Sequence, residues 1–171
     1  MSLAEIDVRD LLGHPGASRE HRVRGTLDEL GSELAHVRED EPVEADLLLE
    51  SVVEGVLASG EISGTLSLRC ARCLKEFERP FSVRVSELFV ERPAEDEDDY
   101  SLEPEGRIAP EQMVRDAVGL ELPFSPLCQP DCRGLCEICG GDRNLGECPG
   151  HDEVDPRWAE LDGLLDRLDT D

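Results

Sequence analysis

Seven cysteines and a late histidine, His151, sort by spacing into eight metal-ligand side chains, the number that two tetrahedral zinc ions require. Cys70-x2-Cys73 stands alone in mid-chain, whereas Cys128-x3-Cys132, Cys136-x2-Cys139 and Cys148-x2-His151 follow one another within 24 residues. A two-residue gap lets one tight turn present two sulfurs to a single ion at about 2.3 Å, which is why zinc knuckles use it. Cys136, Cys139, Cys148 and His151 are joined by a connection containing Gly140, Gly141 and Gly146, enough to fold a local loop around one ion. Cys70 and Cys73 then need Cys128 and Cys132, which predicts a first site that staples a distant hairpin to the C-terminal segment. The rival partition pairs Cys70 and Cys73 with Cys136 and Cys139 and leaves a looser second site. A variant of either scheme binds a single ion.

Two other fates for the thiols compete with zinc. Disulfides belong to oxidising compartments, but residues 1–12 carry Glu5, Asp7, Arg9 and Asp10 where a signal peptide needs an apolar core, so a cytoplasmic chain is expected. An odd number of cysteines also leaves one unpaired. A thioredoxin-like redox pair opens a helix after a strand, whereas Cys70-Ala71-Arg72-Cys73 lies between two segments that both read as strands. With every ligand position filled by a protein side chain, the sites are structural, because a catalytic zinc keeps a position for water. No nucleophile–base pair, glycine-rich phosphate loop or HExxH sequence accompanies them, and a non-enzymatic protein is expected.

The charge narrows the partners. At −24 over 171 residues the chain repels a phosphate backbone and attracts basic surfaces, which argues against broad electrostatic binding to nucleic acid. It also argues against a transcription-associated zinc-ribbon adaptor, which would show a basic face. No segment approaches the roughly 18 uninterrupted apolar residues of a membrane span, so no membrane partner is expected. Arginine outnumbers lysine 16 to 1, a bias expected of a GC-rich bacterial genome.

The elements that must position the ligands are mostly strands. Ile62, Leu66 and Leu68 alternate with Ser63, Thr65 and Ser67, and Phe77, Phe81, Val83, Val85 and Phe89 alternate with Glu78, Ser82, Arg84 and Ser86. Upstream, Leu47, Leu49, Val53 and Leu57 share one side of a segment from Ala45 to Leu57, with Ser59-Gly60 as the predicted hairpin turn. The cysteine pair caps the next hairpin, completing a three-stranded meander extended by strands near Val23–Leu27 and Leu34–Val37. Leu3–Val8 is expected to form a short strand. Arg19, Arg22 and Arg24 beside His21 read as a solvated basic face, and His14, His21 and His36 lack ligand-like companions.

Residues 91–107 read as a flexible acidic loop, since they offer almost nothing to bury. A helix opens at Pro110, with Met113, Val114, Ala117, Val118 and Leu120 as its apolar stripe, and stops at Pro123. A second helix is expected from Asp155 and Pro156, with Trp158, Leu161, Leu164, Leu165 and Leu168 on one face. The expectation is an α+β fold: an antiparallel meander or partly open barrel, one packed helix, a zinc-knuckle segment and a short C-terminal helix. Residues 1–90 form the β region, 91–107 the loop and 108–171 the helix, zinc segment and last helix, all in one structural domain.

One stretch reverses the sign of the chain. Between Arg69 and Arg79, the cations Arg69, Arg72, Lys75 and Arg79 outnumber Glu76 and Glu78 by two. Cations there offset the −2 of a four-thiolate zinc centre. The sharper alternative is that this tip contacts RNA or a partner.

The run Leu66 to Leu74 through Phe81, the acidic gap, Leu122-Pro123, and the run Cys132-Arg133-Gly134-Leu135-Cys136-Glu137-Ile138-Cys139-Gly140-Gly141-Asp142-Arg143-Asn144 together resemble the YceD-type family. The resemblance spans about residues 3–165. It implies a role in accumulating the RNA of the large ribosomal subunit, with a basic ribosomal protein or a large-subunit precursor as partner, and it brings no catalytic residue. Many members of that family end the cluster with Cys-x-Cys, whereas this chain reads Cys148-Pro149-Gly150-His151, with Asp152 as the substitute fourth ligand. The competing function class is a thiol redox or zinc-responsive switch, motivated by seven cysteines in a cytoplasmic chain.

Overall fold

The computed structural model describes residues 3–28, 30–93 and 99–151. The helix expected from Asp155, the ligand substitute Asp152 and residues 94–98 of the acidic segment lie outside the described residues. In chain order the strands are β1 (Ile6–Asp7), β2 (Ser18–Gly25), β3 (Leu30–Gly31), β4 (Ala35–Val37), β5 (Val43–Ser51), β6 (Gly55–Arg69), β7 (Glu76–Val90), β8 (Tyr100–Glu103) and β9 (Arg107–Ile108). Helix α1 is Glu111–Glu121.

The spine is the β6–β7 hairpin, antiparallel in unbroken register from Gly55↔Val90 to Arg69↔Glu76. At about 3.3 Å per residue each strand carries the chain roughly 50 Å. Alternation drives it: Val56, Ala58, Ile62, Leu66 and Leu68 are buried on one face of β6, facing the same core as Phe81, Val85 and Phe89 of β7. Burying one such large apolar side chain stabilises the fold by about 1.5–3 kcal/mol. The other edge of β6 is shared: β5 pairs with its first half, Ser51↔Val56 to Glu44↔Ser63, and β4 with its far end, Ala35↔Leu68. Strand β2 lies antiparallel on β5, with Arg22 opposite Asp46 and Arg24 opposite Glu44, and both pairs form ion pairs. The basic stretch is thus partly neutralised across the strands.

Five expectations are corrected. The β5–β6 turn lies at Val52–Glu54, closed by the Val52 N–H to Gly55 C=O bond at 2.9 Å, and Gly60 is mid-strand opposite Leu47. A Cβ at Gly60 would lie 2.0 Å from the Asp46 carbonyl oxygen, so the glycine permits close backbone approach and marks no turn. Val53, expected on the buried side, is 86% exposed in that turn, and Leu120 is 89% exposed on α1. The acidic segment contains structure: β8 pairs in parallel with the end of β7, Phe89↔Tyr100, and antiparallel with β9, burying Leu102 and Ile108. The sheet is therefore mixed, and it is open: its path runs β1-β9-β8-β7-β6-β4-β3 with β5 and β2 as a branch, and no pairing among the described residues closes it.

Helix α1 buries Met113, Val114 and Val118 against the sheet. Tyr100 Oη donates to Asp116 at 2.9 Å, tying β8 to the helix. Pro110 immediately precedes the helix, and Leu122 is extended before Pro123, whose ring disfavours helix at the preceding residue. From there the chain runs to the far end of the β6–β7 ribbon.

Candidate metal centre

The turn between β6 and β7 is the first ligand platform. Cys70 N–H donates to the Lys75 carbonyl at 2.9 Å and Leu74 N–H to the Cys70 carbonyl at 2.9 Å, folding Cys70–Lys75 so that both thiols face one point. Leu74 adopts φ +60°, a left-handed conformation that costs a branched side chain about 1–2 kcal/mol. The returning segment is pinned beside it: Ala71 N–H donates to the Pro126 carbonyl at 2.8 Å, Leu135 N–H to the Arg72 carbonyl at 3.1 Å, and Arg72 Nη1 to the Cys132 carbonyl at 2.8 Å. Cys128 and Cys132 are thereby brought onto the pair.

The four sulfurs of Cys70, Cys73, Cys128 and Cys132 lie within 4.8 Å of one another. Cys70 to Cys132 is 3.7 Å and Cys73 to Cys128 is 3.6 Å. A tetrahedron with metal–sulfur bonds of 2.3 Å has edges of about 3.8 Å, so the spacing suits one tetrahedral ion. Cys70, Cys73 and Cys132 are buried and Cys128 is half-buried.

The second platform repeats the first turn with different residues. Cys136 N–H donates to the Gly141 carbonyl at 2.9 Å and Gly140 N–H to the Cys136 carbonyl at 2.8 Å. Gly140 takes φ +72° at the place Leu74 occupies in the first turn, here without strain. Cys136, Cys139, Cys148 and His151 bring their ligand atoms within 4.8 Å of one another. Cys136 is buried, Cys148 half-buried, and Cys139 and His151 exposed. The ligand atoms thus group as two sets of four, and Cys70 and Cys73 do not cluster with Cys136 and Cys139. Both sets could hold a metal ion.

The thiols are held unequally. Burial pushes the Cys70 thiol up, but the N–H groups of Cys128, Cys73 and Arg72 aimed at its sulfur outweigh that and bring it to about 6. Burial and the neighbouring thiols of Cys73, Cys132 and Cys70 push Cys128 up to about 12. At Cys73 the Lys75 N–H favours the thiolate, but burial and the thiols of Cys70 and Cys132 raise it. Cys136 comes down to about 6 because the N–H groups of Cys139 and Ile138 point at it. At Cys148 the Gly150 N–H favours the thiolate, yet Cys136, burial and Cys139 raise it. Like charges at these distances oppose one another, and a cation at the centre removes the opposition.

Polar groups beyond the ligands surround both sets. Asn144 Nδ2 lies 3.5 Å from the Cys132 sulfur, and Arg143 Nη2 lies 4.0 Å from the Cys136 sulfur. Neither was legible in the sequence, since no spacing rule relates a loop amide to a cysteine twelve residues earlier. All four cations at the hairpin tip are exposed; Arg69 pairs with Glu76 at 2.9 Å and Arg72 holds the Cys132 carbonyl as above, while Lys75 and Arg79 make no ion pair among the described residues. A concavity of about 950 Å³ lies at the opposite end of the ribbon beside Val53, Glu54, Glu91 and Asp99, and is lined by no thiol.

A family model described as the large ribosomal RNA subunit accumulation protein YceD matches residues 58–165, in keeping with the resemblance read from the motifs. Uncharacterized proteins of Mycobacterium tuberculosis and Mycobacterium bovis are 38% identical over 168 residues, covering 94% of this chain and 80% of theirs. The uncharacterized protein YlbN of Bacillus subtilis is 28% identical over 84% of this chain and 86% of its own. A chloroplastic protein of Arabidopsis thaliana, named as a YCED homolog for large ribosomal RNA subunit accumulation, is 32% identical over 56 residues, 32% of this chain and 17% of its own. No solved structure matches the chain. Among the described residues no helix is long and apolar enough to cross a membrane.

Proposed function

The chain belongs to the YceD family of large ribosomal RNA subunit accumulation proteins, and from that premise we propose that it is a zinc-stabilised, non-enzymatic assembly factor for the large ribosomal subunit. The observation that carries this reading, beside the family, is the pair of four-ligand clusters. Thiolate-rich tetrahedral sets favour zinc, and with four protein ligands each they leave no position for substrate or an activated water. The zincs therefore hold a surface together.

The partner is a basic ribosomal protein or a precursor particle carrying one, reached in the cytoplasm by a chain of net charge −24. Lys75 and Arg79, exposed at the hairpin tip, are the cations left to meet RNA or the partner; Arg69 and Arg72 serve the fold. Depleting the protein and resolving ribosomal particles on a sucrose gradient tests the proposal. Large-subunit precursors should accumulate and large-subunit RNA should fall. Unchanged profiles and RNA levels would contradict it.

The exposure of Cys139 favours a second reading, a thiol switch. It requires rapid alkylation of the native, metal-loaded protein, and it fails if all seven thiols stay protected until a chelator is added.

A further inference from the structure

Asn144 sits in the connection between Cys139 and Cys148, yet its side chain reaches the other cluster. Its Nδ2 donates to Cys132 Sγ at 3.5 Å and to Asp142 Oδ1 at 2.8 Å. Its Oδ1 accepts the Arg133 N–H at 2.8 Å and Gln129 Nε2 at 3.3 Å. A primary amide has two N–H groups and two lone pairs, so every valence is used. The arrangement also fixes which end is which, because a backbone N–H can only donate and must therefore face Oδ1. The N–H end is left for the sulfur.

The amide oxygen is fixed from the first cluster's own segment, by Gln129 and Arg133, whereas its nitrogen and the Asn144 backbone are fixed from the second cluster's loop, by Asp142. Asp142 Oδ1 accepts the Asn144 backbone N–H at 2.7 Å. Asp142 is held in turn by the N–H groups of Leu145 and Glu147 on its carbonyl, by Glu147 Oε2 on its N–H, and by a bridge to Leu135. Cys136, Cys139, Cys148 and His151 close the loop that contains all of these except Leu135. The acceptor, Cys132, is 1% exposed, so water cannot replace a lost donor there. An N–H aimed at a thiolate stabilises its charge, and a four-thiolate cluster around a divalent ion carries two excess negative charges.

We infer that the two clusters hold metal as a linked pair, Asn144 being the positioning residue through which the second cluster's loop steadies the Cys132 thiolate of the first. This rests on the reading that both clusters bind a divalent metal. An ion at the second cluster closes the loop and presents the amide; without it the loop loosens and the first cluster holds its ion less tightly. By linkage, the first ion strengthens the second to the same degree.

The test uses the full chain loaded with zinc and a chromophoric chelator. Parent, Asn144→Ala, Cys148→Ser and the double variant are compared by metal content and by the release rate of the ion at the first cluster. Removing a donor next to a metal ligand weakens binding about 10–100-fold. Asn144→Ala should keep two ions at saturating zinc but release the first-cluster ion at least about tenfold faster. Cys148→Ser should speed the same release, and the double variant should be no faster than the more severe single one. Effects that multiply in the double variant, or parent-like release from Asn144→Ala, overturn the linkage while leaving the metal reading intact. A parent that binds no metal overturns both.

Asn144→Asp keeps the shape but replaces the donor with a carboxylate, and it guards against a variant that merely unfolds. In the cobalt-substituted protein its sulfur-to-cobalt charge-transfer band from the first cluster should shift from the parent position. A parent-like band in Asn144→Asp would also overturn the inference.

Discussion

The two clusters are built on one turn and used in opposite ways. In both, the first cysteine's N–H bonds a carbonyl five residues on, and its own carbonyl accepts an N–H four residues on. The first cluster joins sulfurs 62 and 55 residues apart and buries three of its four ligands. The second is closed within one short segment and leaves Cys139 and His151 exposed. Loop length contributes little to the difference: closing about 60 residues instead of about 12 differs by only about 1.5 kcal/mol in chain entropy. Burial and the packing of the hairpin against residues 126–135 account for the rest. The same knuckle is thus a tertiary staple in one place and a local clasp in the other.

Cutting one ligand from each cluster breaks this comparison most strongly. Cys70→Ser should lower stability by on the order of 4 kcal/mol or more, since it frees the hairpin tip from the C-terminal segment, whereas Cys148→Ser should cost about 1–2 kcal/mol. Thermal unfolding followed by circular dichroism checks this, and equal losses would remove the distinction between staple and clasp. Next in size is the reactivity of the thiols. Mass spectrometry of the metal-loaded chain under limiting alkylation should find Cys139 and Cys148 modified well before Cys70, Cys73 and Cys132, because the latter three are buried.

Acid should release the metal from both clusters. Zinc binds thiolates, and protons compete for the same sulfurs. Cys70 and Cys136 sit at about 6 in the metal-free chain, so the metal-bound form is favoured above that value and lost as pH falls through and below it. Cys128, pushed up to about 12, still carries its proton at neutral pH, so loading the first cluster there must expel that proton. Its apparent affinity should therefore keep rising with pH between 7 and 9, which a chelator competition series at stepped pH would follow. A flat profile over that range would contradict this assignment of the proton.

The smallest expected effect compares the two turn residues directly. Gly140→Ala should cost about 1 kcal/mol for the left-handed backbone alone, since nothing lies within 4 Å of the added Cβ. Leu74→Gly should be neutral or stabilising by up to about 1 kcal/mol, the strain relieved being offset in part by the flexibility of glycine in the unfolded chain. Denaturant midpoints of the two variants report the sign, and a destabilised Leu74→Gly would show that the Leu74 side chain contributes packing that outweighs its strain.

Much of the ligand geometry was legible because cysteine spacing encodes a turn directly: a two-residue gap leaves few ways to aim two sulfurs. The β6–β7 ribbon was legible for a similar reason, since strict alternation from Ile62 to Phe89 reports a sheet with one buried face. What was lost depends on tertiary contact. Gly60 reads as a turn residue by type, and only the approach of the β5 backbone shows why it lies mid-strand. Strands β8 and β9 hide in an acidic segment because each offers a single buried apolar residue, Leu102 and Ile108, too few to set a period. Asn144 matters only through a sulfur that the fold brings beside it.

Metal content by elemental analysis is the measurement closest to the centre of this account. The parent chain should hold two zinc ions, and Cys70→Ser and Cys148→Ser should each hold one. A single ion in the parent that disappears in both variants would contradict the division into staple and clasp.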